Sequence, residues 1–109
     1  MANRQILFNR ALPLATGAKI TEDCPITGRV VEVMLHFPPG CNALVDIALG
    51  HGSNTFCPSS GYIALDNATP IFRNLNEPVT INDSIWCEMR NRDGGFPHMV
   101  TATVTIEEA

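Results

Sequence analysis

Apolar residues recur at every second position in several short stretches, and each stretch ends in glycine, proline or an Asn/Asp turn; no window of ten or more residues carries them at helical spacing. A chain patterned this way buries its apolar side chains by laying strands into sheets whose two faces differ. Val31, Val33, Leu35 and Phe37 alternate with Glu32 and His36 until Pro38-Pro39-Gly40, where the run must stop because proline donates nothing to a strand ladder. Ala43, Val45, Ile47 and Leu49 then alternate around Asp46 as far as Gly50-His51-Gly52-Ser53-Asn54. These two stretches are expected to pair as a hairpin. Residues 62–65 and 71–75 read as short edge strands, and 79–81 leads through the Asn82-Asp83 turn into 85–91, which predicts a second hairpin. Asn91-Arg92-Asp93-Gly94-Gly95 is the densest turn signal, and beyond it Val100, Ala102, Val104 and Ile106 alternate with a solvent-side stripe of Thr101, Thr103 and Thr105. Residues 6–12 can add a strand, whereas 14–26 is looser. Seven or eight short strands in 109 residues predict one all-β domain over 1–109, an antiparallel β-sandwich of jelly-roll or immunoglobulin-like type.

Composition narrows the function classes. The chain is 45% hydrophobic and 17% charged, with a mean hydropathy of +0.08, which excludes disorder. No apolar run approaches the roughly 18 residues that span a bilayer, and the first stretch holds Arg4 and Arg10 without a long apolar core, so neither a membrane span nor a signal peptide is expected. Seven basic residues against eleven acidic ones leave no cationic face for phosphates, and nucleic acid is not an expected partner. Cys24, Cys41, Cys57 and Cys87 form no CxxC pair and are expected as buried free thiols rather than two disulfides. Asn67-Ala68-Thr69 and Asn82-Asp83-Ser84 fit the N-glycosylation pattern but read as turns.

Asn91-Arg92-Asp93-Gly94-Gly95-Phe96-Pro97-His98 resembles the cupredoxin segment in which an Asn-x-Asp turn leads to a copper ligand, and the resemblance implies His98 in that role. A blue-copper site also needs a Cys, a second His and usually a Met, and the eleven residues after His98 supply no such loop. No metal and no cofactor are therefore expected, with His98 set at a strand start behind Pro97. His36 and His51 have no partner at ligand spacing. Ser59 or Ser60 with His51 and Asp66 would compose a Ser/His/Asp set, but no GxSxG turn presents the serine, so catalysis is not expected. Trp86, Tyr62 and Phe72 could offer an aromatic platform to sugar rings, and Asp46 with Asp66, or Asp83 with Asp93, could offer oxygens to calcium. An extracellular carbohydrate- or calcium-binding module is accordingly the second reading of this chain, and a cupredoxin-like copper protein the third.

A longer similarity runs through Gly28-Arg29-Val30-Val31-Glu32-Val33, His36-Phe37-Pro38-Pro39-Gly40-Cys41-Asn42-Ala43-Leu44-Val45, Ala64-Leu65-Asp66 and Asn91-Arg92-Asp93 with Pro97-His98. It resembles small β-sandwich proteins of phage, prophage and archaeal origin. The resemblance implies a non-enzymatic virion decoration or cement subunit, assembled in the host cytoplasm, that forms a homo-oligomer such as a trimer and packs on a capsid or other lattice protein. Met34, Leu44 and Trp86, which fall on faces opposite the main apolar stripes, are the expected interface residues, because outward apolar side chains mark interaction sites.

Overall fold

The computed structural model describes residues 3–58 and 61–109. Nine strands are present among these residues: β1 (Asn3–Leu12), β2 (Gly17–Asp23), β3 (Gly28–His36), β4 (Val45–His51), β5 (Asn54–Cys57), β6 (Ile71–Phe72), β7 (Glu77–Val79), β8 (Ser84–Asn91) and β9 (His98–Glu108). They form two antiparallel sheets, β1-β9-β3-β6 with β7 also on β3, and β2-β8-β4-β5. The chain is thus an all-β sandwich. Only the β4–β5 and β6–β7 connections stay within one sheet, and the strand order is that of a jelly roll rather than an immunoglobulin sandwich.

This wrapping corrects both expected hairpins. β3 and β4 lie in opposite sheets, as do β7 and β8, so the Pro38-Pro39-Gly40 and Asn82-Asp83 segments carry the chain across the sandwich. The true hairpin joins β4 to β5 through Gly52 and Ser53. Residues 62–65 contribute a single bridge, Ile63 to Ile47, instead of a strand. A bulge between Val30 and Glu32 resets the face of β3, so Val30 points inward beside Val33, Leu35 and Phe37 while Val31 is half-buried. The turn asparagines Asn67 and Asn82 adopt φ of 48° and 72°, a left-handed conformation that asparagine tolerates well.

The core lies between the sheets and is built from their inward rows: Ile6, Phe8 and Leu12 from β1, Val45, Ile47 and Leu49 from β4, Ile85, Cys87 and Met89 from β8, and Val100, Ala102, Val104 and Ile106 from β9. All four cysteines are buried and free. Burial pushes the thiol of Cys57 up to about 11 and that of Cys87 up to about 12. Cys57 and Cys87 flank Leu49 from the two strands on either side of β4, two strand spacings or roughly 9–10 Å apart, beyond disulfide reach.

Strand direction sorts the connections into two ends. Segments 13–16, 37–44, 61–70 and 92–97 lie at one, which we call the loop end; 24–27, 52–53 and 80–83 lie at the other, where β1 begins and β9 finishes. The Cα envelope measures 44 × 21 × 21 Å, so the ends are well separated.

Candidate functional site

The loop end is held together by its own polar groups. Asn91, buried at the last position of β8, donates from Nδ2 to the carbonyls of Leu12, Pro13 and Phe96 at 3.3, 3.2 and 3.1 Å, so one side chain fixes both the 13–16 and the 92–97 loops. Asp93 accepts from the Gly95 N–H at 2.8 Å and lies 2.9 Å from His98 Nε2; the His98 contact is the larger of the causes that hold its carboxyl below the usual range. Asp66 Oδ1 accepts the Gly40 and Asn42 N–H groups, both at 3.0 Å, and so anchors 37–44. Arg92 donates Nε to Asp46 Oδ2 at 2.8 Å and Nη2 to Asp46 Oδ1 at 3.1 Å and the Ala43 carbonyl at 2.7 Å.

These contacts use every charged side chain of the loop-end segments: Asp66, Arg92 and Asp93. The same loops also present large apolar side chains outward. Phe96 is 69% exposed, Leu14 49% and Leu65 37%, and Met99 stands open just inside β9. From there an apolar row crosses the outer face of the β1-β9-β3-β6 sheet, with Leu7 opposite Thr103, Thr103 opposite Met34 and Met34 opposite Ile71. Loops ordered by their own hydrogen bonds while displaying apolar side chains suit a docking surface, since little order remains to be imposed on contact.

The far end has the opposite chemistry. Glu22, Asp23, Glu77, Asp83, Glu107 and Glu108 gather there with Arg4 and Arg29. His51 ties the two sheets, its Nδ1 3.3 Å from Glu77 Oε2 and its Nε2 2.8 Å from Asp83 Oδ2. The Thr80 N–H, more than His51, holds the Asp83 carboxyl low.

The sequence-named residues are dispersed by this geometry. Met34 joins the apolar row and Leu44 sits half-buried in the loop end, but Trp86 lies on the outer face of the other sheet, so the three share no single patch. Trp86 rests over Gly50, where a Cβ would overlap its ring, donates Nε1–H to the Gly52 carbonyl at 2.8 Å, and has Lys19 Nζ 4.5 Å from the ring centroid. Tyr62 stacks under Arg90 at 3.8 Å and gives its hydroxyl to Glu88, while Phe72 belongs to the opposite sheet. The three aromatics therefore share no single face, and the Trp86 and Tyr62 rings already carry cations. Asp83 and Asp93 bracket the eight residues of β8, roughly 27 Å of strand, and cannot share a calcium ion. Asp46 is committed to Arg90 and Arg92, and Asp66 to backbone amides. Among the described residues no three His, Cys, Asp or Glu side chains group as metal ligands, and the His98 ring nitrogen is engaged by Asp93. His51 and Asp66 lie at opposite ends, and Ser59 and Ser60 fall outside the described residues. Sequence reasoning missed Leu14, Leu65 and Phe96; turn residues flanking them were visible, but no alternation marks an apolar side chain at a loop tip.

No family model matches this chain, and no curated protein does. Solved structures do. The crystal structure of FlhE aligns over 99% of this chain and 100% of its own, with a TM-score of 0.51 and 10% identity. The Yersinia pseudotuberculosis-derived mitogen YPM aligns over 99% and 90%, with a TM-score of 0.56 and 11% identity. At these identities the likeness shows the fold alone. A family two carbohydrate esterase from Cellvibrio japonicus aligns over 35% of its length with a TM-score of 0.43, too low to bear on either fold or function.

Proposed function

We propose that this protein is a non-catalytic assembly subunit that associates through its loop end, first with copies of itself and through them with a larger protein lattice. The observation that carries the reading is the contrast within the loop end: each charge is spent on internal contacts while Phe96, Leu14 and Leu65 face outward. Burying one such side chain contributes roughly 1.5–3 kcal/mol, against about 1 kcal/mol or less for an exposed ion pair, so apolar contact dominates the association. The edges of the β1-β9-β3-β6 sheet resist a competing route. On the long edge strand β1, Arg4 and Arg10 occupy core-side positions around Ile6 and Phe8, and the opposite edge is broken into the short β6 and β7 beside Pro70 and Pro78, devices that resist strand-to-strand pairing.

Virion decoration, implied by the resemblance of 28–107, is the form of this role in which the lattice is a capsid. Light scattering across a concentration series tests the reading. The wild type should associate in moderate salt, Phe96→Asp should not, and Ile81→Asp at the far end should behave as wild type. A wild type that stays monomeric at all concentrations and binds no shell would remove the proposal.

A further inference from the structure

A cavity of about 530 Å³ opens on the outer side of the β1-β9-β3-β6 sheet, where the 73–76 connection leans over the bulge of β3. Two ion pairs form its walls, Arg29 with Glu107 at 3.0 Å and Arg73 with Glu32 at 3.2 Å. Its floor is apolar, made by Val31 and Leu75, whose backbones join through the Leu75 N–H and the Val31 carbonyl at 3.1 Å. Asn76 accepts from Arg29 Nη1 at 3.4 Å. A second cavity of about 350 Å³ shares Arg29, Asn76 and Glu107 and extends the concavity toward Ala109. The result is a groove, distinct from the loop end.

Its charges decide what it can hold. In the larger cavity two guanidiniums and two carboxylates cancel, and Glu108 adds a carboxylate in the smaller one, so an anion meets Glu32, Glu107 and Glu108 and a cation meets Arg29 and Arg73. Hydroxyl groups donate and accept at once, and can therefore use guanidinium, carboxylate and amide together. The apolar floor matches the C–H face of a sugar ring. β3 is already paired on both sides here, with β9 and β7, so it has no free edge for a peptide to extend. We propose that this groove binds a neutral saccharide chain, with the Arg29–Glu107 and Arg73–Glu32 pairs as its hydrogen-bonding walls and Val31 and Leu75 as its floor.

The test is a nuclear magnetic resonance titration of the isotope-labelled full chain with cellotriose, maltotriose, mannotriose and chitotriose, and with inorganic phosphate and triglycine as rival probes. At least one trisaccharide should perturb residues 29–32, 73–77 and 107–109 while leaving the Trp86 indole unmoved. Arg73→Ala, at an exposed side chain that folding does not need, should weaken that binding by about tenfold or more, and Phe96→Asp should leave it intact. The proposal is overturned if none of the four sugars perturbs the groove at about 20 mM, well above the millimolar affinity of a weak site. It is equally overturned if the shifts centre on Trp86 and Tyr62, or if phosphate or triglycine occupies the groove more tightly than any sugar.

Discussion

The two ends of this sandwich meet water in opposite ways. At the loop end the charges are engaged by loop amides, a carbonyl and one another, and large apolar side chains stand free beside them. At the far end carboxylates crowd the surface, and Ile81 is the large apolar side chain exposed in the short 80–83 turn. The same fold supplies both, because its longer crossings, among them 37–44 and 92–97, all fall at one end, and the other end holds only connections of four residues or fewer. Polar groups that order a loop are consumed in doing so, which is why the better-built end is also the stickier one.

The largest effect on this contrast should come from the closures themselves. A Cβ on Gly28 would overlap the Glu107 carbonyl across the β3–β9 ladder, so Gly28→Ala should destabilise the far end by about 3 kcal/mol, measured by denaturant unfolding. Asn91→Ala should cost somewhat less, about 2 kcal/mol, by orphaning the carbonyls of Leu12, Pro13 and Phe96. It should also loosen both loops in hydrogen exchange while the far end stays protected. Phe96→Asp sits at an exposed tip and should change stability by less than about 0.5 kcal/mol, yet lower self-association about tenfold or more. Equal association by Phe96→Asp and wild type would erase the functional difference between the ends.

How much of this was legible in the sequence depends on what alternation reports. Period two marks which face of a strand is apolar, and the rows of β3, β4, β8 and β9 follow from it apart from the Val30 bulge. It does not report which sheet a strand joins, so 29–37 and 43–49 look like hairpin partners although the eight residues 37–44 carry the chain across the core. β2 was hidden because Ala18 and Ile20 are its only inward apolar contacts and even these are half-buried. Met34 was found by parity, whereas Leu14, Leu65 and Phe96 lie in loops, where parity has no meaning. The employment of Asp66, Asp93 and Arg92 joins residues up to 49 positions apart and is set by the tertiary fold.

Smaller effects come from titration. Asp83 serves the far end and Asp93 the loop end, and both carboxyls are held low in the fold. A depressed folded value means that their contribution is present above the ordinary value near 3.8 and is lost as pH falls through the folded values. Acid unfolding followed by Trp86 fluorescence should therefore begin below about pH 4, and Asp83→Asn or Asp93→Asn should each make that limb shallower. The cysteines work in the other direction. The raised thiols of Cys57 and Cys87 favour the fold below the ordinary value of 9.0, and this is lost as pH climbs toward about 11 and 12. A thiol reagent at neutral pH should label none of the four cysteines until the sandwich is unfolded.

The place of β9 has a kinetic consequence. It lies between β1 and β3, and Asn3 pairs with Glu107, so the first strand finds its hydrogen-bonding partner only in the last. Pairings of such long sequence separation form late and slowly. During synthesis β1 must wait, its Ile6 and Phe8 uncovered, until nearly the whole domain has left the ribosome. Arg4 and Arg10, which blunt that edge in the finished sandwich, are also on hand as gatekeepers through the interval when it has no partner.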